Sequence, residues 1–390
     1  MKLGLIISND WELYGDGSGD YFEIQYRPLQ ALLDTVETYG AKLTVMAEVG
    51  QQWAHKRISE KESWAHEVVD SWESILVDTI RRRNDVQLHL HPQWLNAEYK
   101  NKKWNLDFNY WAISSLPEAE IEKVLKAGKE YLDSLLKPAN PDYECIAFRA
   151  GAYCIEPSQV VIQKLLKSGI ICDTSVSKGM YNPSFYDYRD AYSNVLPWFV
   201  SPEDIKYKGN NEARLLEIPI YSNKIFHSKI LRILSQQLSD ILSFGVVTDR
   251  KDRKWLSEKN DFINLKYSSK SPFATKIPKI LVMRLILGLI SRDLIRLDYD
   301  SLPPKVFMKC LKQIYENKSF KRWQIDDLVI PVMAIGHVKL IHNCDNIDRI
   351  FKEITVNLQD KVIYWTLSDA IRYWINKTNT DFELAFGKVE

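Results

Sequence analysis

Two of the chain's seven histidines lie two residues apart at the end of an apolar segment, in "DVQLHLHPQW". Side chains alternate between the two faces of a β-strand, so His89 and His91 are expected to point the same way. Two imidazoles on one face can bind the same metal ion. Half-buried histidines that bond to nearby loops would show the same spacing, so this stretch alone leaves a metal site and a structural role equally open.

Two carboxylates with the same spacing follow the first apolar segment, in "SNDWEL". If Asp10 and Glu12 share a face, one of them can bind a metal while the other accepts a proton, because paired carboxylates in different environments divide acid and base roles. A catalytic site of the zinc type needs three side chains and a water. Its metal lowers the pKa of bound water from 15.7 to about 7, which makes hydroxide available for attack on an acyl carbon.

Two further motifs supply groups that such chemistry uses. Arg149 in "AFRAGAY" offers a fixed fork of donors to a carboxylate, and the following "GAY" could aim a backbone N–H at a developing oxyanion. His337 in "AIGHVK" could protonate a leaving amine, because histidine titrates near neutral pH. The alternatives are a structural salt bridge for the arginine and a structural role for the histidine.

Apolar strand-like segments alternate with amphipathic helical ones along most of the chain. The predicted strands are "KLGLIIS", "AKLTVMAE", "VQLHLH", "YECIAFRAG", "GIICDTS", "ARLLEIPIY", "LVIPVMAIG" and "KVIYWTL". The helices between them include "PLQALLDTVETYG", "WAHEVVDSWESILVDTIRRR", "LPEAEIEKVLKAGKEYLDSLL" and "PSQVVIQKLLKSG". This alternation predicts a parallel sheet, and about seven or eight strands favour its closure into a distorted (β/α) barrel.

In such barrels the chemistry lies at the carboxyl ends of the strands. The unusual polar residues of this chain all fall at or just after predicted strand ends: Asp10, Glu12, His89, His91, Arg149, Asp173 and His337. Scattered residues would also occupy the opposite end of the barrel. Their agreement therefore favours a metal site over a set of structural histidines.

The bulk composition excludes some classes of function. With 52 Lys and Arg against 51 Asp and Glu, no net field attracts nucleic acid. The 12 Trp and 20 Tyr provide rings on which sugars could stack. The five cysteines are odd in number and form no C-x-x-C pair, which indicates a reducing compartment rather than a disulfide framework.

Targeting signals are also missing from the sequence pattern. The first apolar run is about five residues long, too short for the core of a signal peptide. No stretch reaches the roughly 20 apolar residues of a membrane span. We therefore expect a cytoplasmic protein.

The alternation of strands and helices is interrupted between residues 223 and 300. We interpret this segment as a mainly helical, basic insertion. It separates a first part of the barrel, 1–222, from a last part with a C-terminal helix, 301–390. The insertion contains two amphipathic segments, "SKILRILSQQLSDILSFG" and "KILVMRLILGLISRDLIRL". Basic amphipathic helices can lie on anionic membrane surfaces, although such helices more often cover a core, so peripheral contact with the inner face of a membrane stays open.

Five motifs in order, "SNDWE", "LHLHP", "FRAGAY", "CDTSV" and "IGHVK", resemble the polysaccharide deacetylase superfamily of NodB-type carbohydrate esterases. The likeness is greatest to the variant WbmS-like branch found among lipopolysaccharide and capsule biosynthesis proteins. It covers roughly residues 1–222 and 300–375. It implies a distorted (β/α) barrel, a divalent metal and removal of an acetyl group from an N-acetylated sugar.

The resemblance also implies roles for individual residues. Asp10 is similar to the catalytic base, Arg149 to the arginine that holds the base and Asp173 to the acidic partner of that arginine. Tyr153 resembles the residue whose backbone N–H lines the oxyanion site, and His337 the acid that protonates the amine. The metal ligands implied are Glu12, His89 and His91, and the sugar-facing residues are Trp198 and Trp94.

This chain departs from the family pattern at two motifs. Asp-x-Glu replaces the usual adjacent Asp-Asp, and H-x-H replaces H-x-x-x-H. The roles of Asp10 and Glu12 could therefore be exchanged, and both could touch the metal. Zinc is the expected ion, with nickel, cobalt and manganese as alternatives.

Three functions are compatible with this pattern. The first is a metal-dependent sugar N-deacetylase that acts on a nucleotide-linked, lipid-linked or polymeric precursor of a cell-surface glycan. The second is an amidohydrolase or phosphoesterase barrel, but in those families H-x-H typically ends the first strand, whereas here it ends the third. The third is a non-catalytic scaffold for glycan assembly. Candidates for every acid, base and ligand position favour an active enzyme.

Overall fold

The apolar and amphipathic segments fold into strands and helices in the predicted order. The computed structural model describes residues 1–209, 214–226, 292–322, 327–341 and 344–378. Its strands are β1 (Lys2–Trp11), β2 (Leu43–Glu48), β3 (Asp85–Leu90), β4 (Glu98–Lys100), β5 (Lys103–Asn105), β6 (Ala147–Ala150), β7 (Cys172–Asp173), β8 (Tyr181–Asn182), β9 (Tyr186–Asp187), β10 (Trp198–Phe199), β11 (Leu216–Glu217), β12 (Ser222–Phe226), β13 (Arg292–Arg296), β14 (Val329–His337) and β15 (Val362–Tyr364).

The helices alternate with the strands of the barrel and flank them. They are α1 (Arg27–Thr38), α2 (Val49–Ile58), α3 (Ser63–Arg81), α4 (Glu118–Leu136), α5 (Gln159–Lys167), α6 (Pro304–Tyr315), α7 (Lys318–Arg322), α8 (Asp345–Leu358) and α9 (Leu367–Thr378). Helix α1 ends where the sequence predicted, because Gly40 adopts the left-handed φ of 61° that a residue with a side chain avoids.

The strands of the barrel form one curled, parallel sheet. Its order is β10-β11-β7-β6-β3-β2-β1-β14, with β15 also paired to β1. The pair β10–β11 is antiparallel, and the other pairs described in this sheet are parallel. A parallel bridge between Ile220, in the segment after β11, and Met333 joins that segment to β14 at the far edge of the sheet. The distorted (β/α) barrel predicted from the sequence is therefore confirmed.

The core lies between the sheet and the helices around it. The apolar stripe of α1, which is Leu29, Leu32, Leu33 and Val36, is completely buried. From the strand side, Trp11 packs against Trp72 of α3 with 5.3 Å between ring centroids. Helices α1 and α3 therefore cover one face of the sheet, and the other face is left to the residues of the candidate site.

Helix α2 follows β2 directly and was not predicted from the sequence. Its buried residues include Gln51, Gln52 and His55, so no clean apolar stripe marks it. The helix begins at Glu48, whose carboxylate accepts a hydrogen bond of 3.3 Å from the backbone N–H of Gln51. The polar residues on its buried face removed the apolar periodicity by which the sequence could have predicted this helix.

The chain divides into two compact units, one made of Met1–Asn223 and Arg296–Glu390, the other of Lys224–Ile295. The first predicted helix of the insertion and most of the second lie outside the described residues. The end of the second, Arg292–Arg296, is strand β13 paired with β12, so this segment is not helical. None of the described helices is long and apolar enough to cross a lipid bilayer.

The close approach of β1 to an indole ring gives a test of the barrel packing. An ideal Cβ on Gly4 would lie 2.4 Å from Cε3 of Trp365. We expect Gly4→Ala to destabilise the protein by about 1–3 kcal/mol, because neither a central strand nor a rigid ring can move away. Urea denaturation measures this loss. The control is Gly15→Ala, where nothing lies within 4 Å of the added carbon; equal stability of the two variants would contradict the packing described.

Candidate functional site

Adjacent parallel strands bring the predicted residues to one end of the barrel. The register pairs Glu48 of β2 with His89 of β3, and His89 with Arg149 of β6. Paired residues of parallel strands point to the same face, so these three side chains form a row. On the other side of the barrel mouth, Asp10 of β1 is paired with His337 of β14. The predicted gathering of polar residues at the carboxyl ends of the strands is therefore present.

The two histidines of "LHLH" converge on a single carboxylate oxygen. Nε2 of His91 lies 2.6 Å, and Nε2 of His89 lies 3.5 Å, from Oε2 of Glu12. Both nitrogens are buried, and among the described residues their polar contact is with this one carboxylate oxygen. Until a metal binds, a protonated imidazole can donate to that oxygen. Two ring nitrogens and a carboxylate directed at one point are suited to holding a cation.

The opposite ring nitrogens are fixed by neighbours. Nδ1 of His89 lies 2.8 Å from the backbone oxygen of Arg149, and Nδ1 of His91 lies 2.9 Å from the side-chain amide of Gln93. A carbonyl oxygen can only accept, so Nδ1 of His89 carries a proton, and Nε2 is the atom that can bind a metal after losing its own proton. The near atom of Gln93 is its amide nitrogen, which donates to Nδ1 of His91 in this orientation.

A fourth donor at this centre, Glu48, was missed by the sequence interpretation. One ligand atom from each of Glu12, Glu48, His89 and His91 lies within 4.8 Å of the others. Oε2 of Glu48 also accepts a 2.7 Å hydrogen bond from the backbone N–H of His91, which holds the histidine loop in place. The signal was available, because Glu48 is the last residue of "AKLTVMAE" and therefore lies at a strand end like the residues that were chosen.

A half-buried lysine, also not predicted, holds the second oxygen of Glu12. Nζ of Lys339 lies 2.5 Å from Oε1 of Glu12, which leaves Oε2 to the imidazoles. Burial opposes ionisation of this carboxyl group, but His91 and Lys339 outweigh it and hold the pKa of Glu12 well below its usual value. Glu12 is therefore ionised at neutral pH and presents one free oxygen to the centre.

The second carboxylate of the pair, Asp10, is held by a different cation. Arg149 is completely buried, and its Nη1 donates to Oδ1 of Asp10 at 2.5 Å while its Nε donates to the backbone oxygen of Thr174 at 3.0 Å. Burial would raise the pKa of Asp10, but Arg149, His89 and His337 outweigh it and hold that pKa at about 2. The predicted pairing of arginine and base is present in the structure.

Tyr153 and His337 face the free oxygen of Asp10. The Tyr153 hydroxyl donates to Oδ2 of Asp10 at 3.2 Å and lies 3.3 Å from Nε2 of His337. Ala152 and Tyr153 both adopt left-handed φ angles, 53° and 59°, which cost residues with side chains about 1–3 kcal/mol each. This strained turn brings the tyrosine hydroxyl to the site, whereas the sequence interpretation assigned only its backbone N–H.

The electrostatic state of His337 differs from that of an exposed histidine. Burial lowers its pKa to about 4, although the charge of Asp10 acts in the opposite direction. The ring is therefore neutral at neutral pH in this environment. Its role as the acid that protonates an amine stays a prediction.

The assignment of Asp173 needs a correction. The register pairs Asp173 with Phe148, one residue before Arg149, so its side chain points to the opposite face of the sheet. Its carboxylate accepts hydrogen bonds from the backbone N–H and the hydroxyl of Ser175, at 2.7 and 3.0 Å. The acidic partner of Arg149 is Asp10 instead.

The two tryptophans expected to face a sugar are core residues. Trp198 is 3% exposed and donates from Nε1 to the backbone oxygen of Ile205 at 3.0 Å. Trp94 is 2% exposed and packs against Trp104, with 5.3 Å between ring centroids. Neither ring offers a face to solvent, because the large apolar area of an indole favours its burial.

Comparison with known proteins gives distant structural likenesses. No model of a known family matches the chain, and no curated protein sequence matches it. A proposed polysaccharide deacetylase from Mycobacterium smegmatis is 9% identical, with 97% of this chain and 91% of that chain covered and a TM-score of 0.45. Puue allantoinase is 10% identical, with 95% and 89% covered and a TM-score of 0.41. The 4-alpha-glucanotransferase from Thermococcus litoralis is 12% identical, with 95% and 40% covered and a TM-score of 0.45. The sequence identities and TM-scores are too low to support a function, so the chemistry is inferred from the residues of the site.

A glycine under one imidazole allows the donor geometry to be tested. An ideal Cβ on Gly151 would lie 2.6 Å from Cγ of His91, so Gly151→Ala must displace that ring. We expect the affinity for zinc to fall by about tenfold or more, as found for residues that orient metal ligands. The control is Gly128→Ala, whose added carbon would lie 2.8 Å from Cδ1 of Leu88, away from the site. A chelator competition titration that finds the same affinity for both variants would contradict the arrangement.

The protons held by two of the donors make cation binding pH-dependent. Before a cation binds, burial lowers the pKa of His89, but the hydrogen bond to Glu12 and the charge of Asp10 outweigh it and raise this pKa to about 9. Burial raises the pKa of Glu48 to about 7, against the effect of the two histidines. A bound cation must displace these protons.

We therefore expect the affinity for zinc to rise about tenfold per pH unit between pH 7 and 9, where one proton is displaced, and more steeply below pH 7, where two are. Chelator competition across this range gives the slope. A flat profile would show that these two groups do not exchange protons for the cation.

Proposed function

We propose that this protein is a metal-dependent hydrolase that removes an acetyl group from an N-acetylated sugar of a cell-surface glycan precursor. The observation that carries the proposal is the convergence of four buried ligand atoms, from Glu12, Glu48, His89 and His91, within 4.8 Å of one another. The ionised carboxylate of Asp10 lies beside them. The residues support a site built to bind a cation and to move a proton next to it.

The donor set is suited to zinc. Imidazole nitrogens and carboxylate oxygens are the ligands that zinc shares with other divalent transition metals, and zinc accepts a four-donor arrangement without a strong geometric preference. The ligands proposed are Glu12, His89 and His91, with Glu48 as a fourth donor. A divalent charge would offset the two buried carboxylates, of which only Glu12 has a lysine partner.

The protein groups around this centre divide the work of amide hydrolysis. When bound, the cation would supply Lewis-acid polarisation of water and of the acyl oxygen. Asp10 is the proposed base: Arg149 holds its Oδ1, and its Oδ2 remains to take a proton from the attacking water. The Tyr153 hydroxyl and Nε2 of His337 lie 3.2 and 3.5 Å from that same oxygen. They form a path by which the proton can return to the leaving nitrogen.

The proposed sugar specificity has two supports. The order of the five motifs resembles the deacetylases, and exposed aromatic rings lie in the loop that follows β3 at the mouth of the barrel. Phe108 is 45% exposed and stacks on Trp111 with 5.0 Å between ring centroids. Trp111 in turn contacts Phe185 from the loop after β7, at 5.7 Å. These rings replace Trp94 and Trp198 as the proposed surface for a pyranose ring.

Acetate release from N-acetylated sugars by the zinc-loaded protein tests the proposed reaction. We expect Asp10→Asn to lower the rate by about a hundredfold or more, because removal of a general base typically costs that much. The matched control is Asp173→Asn, another buried carboxyl group, which lies on the opposite face of the sheet. This control should retain the wild-type rate.

Two results would overturn the proposal. One is a wild-type protein that holds zinc and releases acetate from none of the nucleotide-linked, lipid-linked or polymeric N-acetylated sugars tested. The other is an Asp10→Asn protein that holds zinc and is as active as the Asp173→Asn control.

A further inference from the structure

One arginine at the mouth of the barrel lies against a residue of the candidate site. The guanidinium carbon of Arg296, at the end of β13, lies 4.7 Å from the centroid of the Tyr153 ring. The hydroxyl of the same tyrosine lies 3.2 Å from Oδ2 of Asp10. Tyr153 therefore contacts Arg296 through the face of its ring and the proposed base through its hydroxyl.

Among the described residues, no carboxylate lies within ion-pair distance of this guanidinium, although the charges of Asp298 and Asp10 act on it from further away. Within the part of the chain that the structure describes, Arg296 is half-buried and makes neither an ion pair nor a hydrogen bond. Three other arginines are ion-paired, Arg149 with Asp10, Arg82 with Glu37 and Arg189 with Asp187, and the half-buried Arg57 donates to two backbone oxygens. Arginines that lose part of their hydration are normally compensated by an anion, so the unpaired state of Arg296 requires an explanation.

The stacking on Tyr153 suits this arginine for ligand recognition. A guanidinium that lies over an aromatic ring is held through its face, and its N–H groups remain available in its own plane. That edge matches two oxygens of a carboxylate or a phosphate. The nearest acid on the same segment, Asp298, accepts hydrogen bonds from the backbone N–H groups of Asp300 and Ser301 and forms no ion pair with Arg296.

We propose that Arg296 binds an oxyanion of the substrate, a carboxylate or a phosphate on the sugar, next to the centre where the acetyl group is removed. This inference rests on the proposed function and specifies its substrate class as anionic N-acetylated sugars. A purely structural arginine that supports the Tyr153 ring is the alternative. Loss of a structural arginine would weaken the binding of neutral and anionic sugars equally. Loss of an anion site would remove the difference in affinity between the two kinds of sugar.

The test is equilibrium binding by calorimetry to the full-length, zinc-loaded protein. Three probes separate the sources of charge: N-acetylglucosamine is neutral, N-acetylglucosamine 1-phosphate carries a phosphate and N-acetylmuramic acid carries a carboxylate. The variants are Arg296→Gln, which removes the charge, and Arg296→Lys, which keeps the charge without the fork. The matched control is Arg189→Gln, since Arg189 also lies over a tyrosine ring, 4.2 Å from the centroid of Tyr181, but is exposed and ion-paired.

We expect the wild type to bind at least one anionic sugar about tenfold or more tightly than the neutral sugar, as a charge-assisted hydrogen-bonded pair provides. Arg296→Gln should abolish this preference, Arg296→Lys should keep part of it and Arg189→Gln should leave it unchanged. The probe that is preferred identifies phosphate or carboxylate as the source.

Other outcomes overturn the inference. A wild type without preference for either anionic sugar, including one that binds none of the three, excludes an anion site for sugars at Arg296. If Arg296→Gln still prefers anionic sugars to the neutral sugar, the anionic group binds at another place, for example to the metal ion. The experiment measures binding and not acetate release. The anion preference can therefore be determined even if the protein does not hydrolyse these sugars. Unfolding midpoints of the variants show that the fold is retained.

Discussion

The ionised carboxylate of Glu12, buried between two imidazoles and a lysine, is the interaction on which the site depends. Lys339 takes one of its oxygens, and the other faces Nε2 of both His89 and His91. Without a cation, the two imidazoles share this one carboxylate oxygen, with a second buried carboxyl group, Glu48, within 4.8 Å. The local strand ends therefore form a site that a divalent ion would stabilise.

A second buried charge pair gives the two carboxylates, whose roles the sequence left open, different surroundings. Arg149 binds Asp10 and turns the free oxygen of that residue towards Tyr153 and His337, whereas Glu12 faces the ring nitrogens. Two carboxylates two residues apart thus occupy different environments, one beside donors for a metal and the other beside groups that exchange protons. Such a division is what an enzyme needs to run acid and base steps at one site.

Much of this site could be predicted because strand alternation and the mouth of a parallel barrel are readable from sequence. His89, His91, Asp10 and Glu12 needed only the two-residue period. Glu48 obeyed the same strand-end rule and was overlooked. The resemblance made Asp173 the acidic partner of Arg149, but β7 has only two residues, and the register that its neighbours set pairs Asp173 with Phe148. The hydroxyl of Tyr153 reaches the site through two left-handed residues, which no propensity of Ala or Tyr predicts.

The most direct test of the account is X-ray absorption spectroscopy at the zinc edge of the zinc-loaded protein. The predicted spectrum contains scattering from two imidazole rings, with nitrogen and oxygen donors at about 2.0–2.2 Å from the ion. In His89→Ala one of the two imidazole contributions should disappear. A protein that retains no zinc after dialysis, or one whose zinc has oxygen donors and no imidazole scattering, would contradict the central claim.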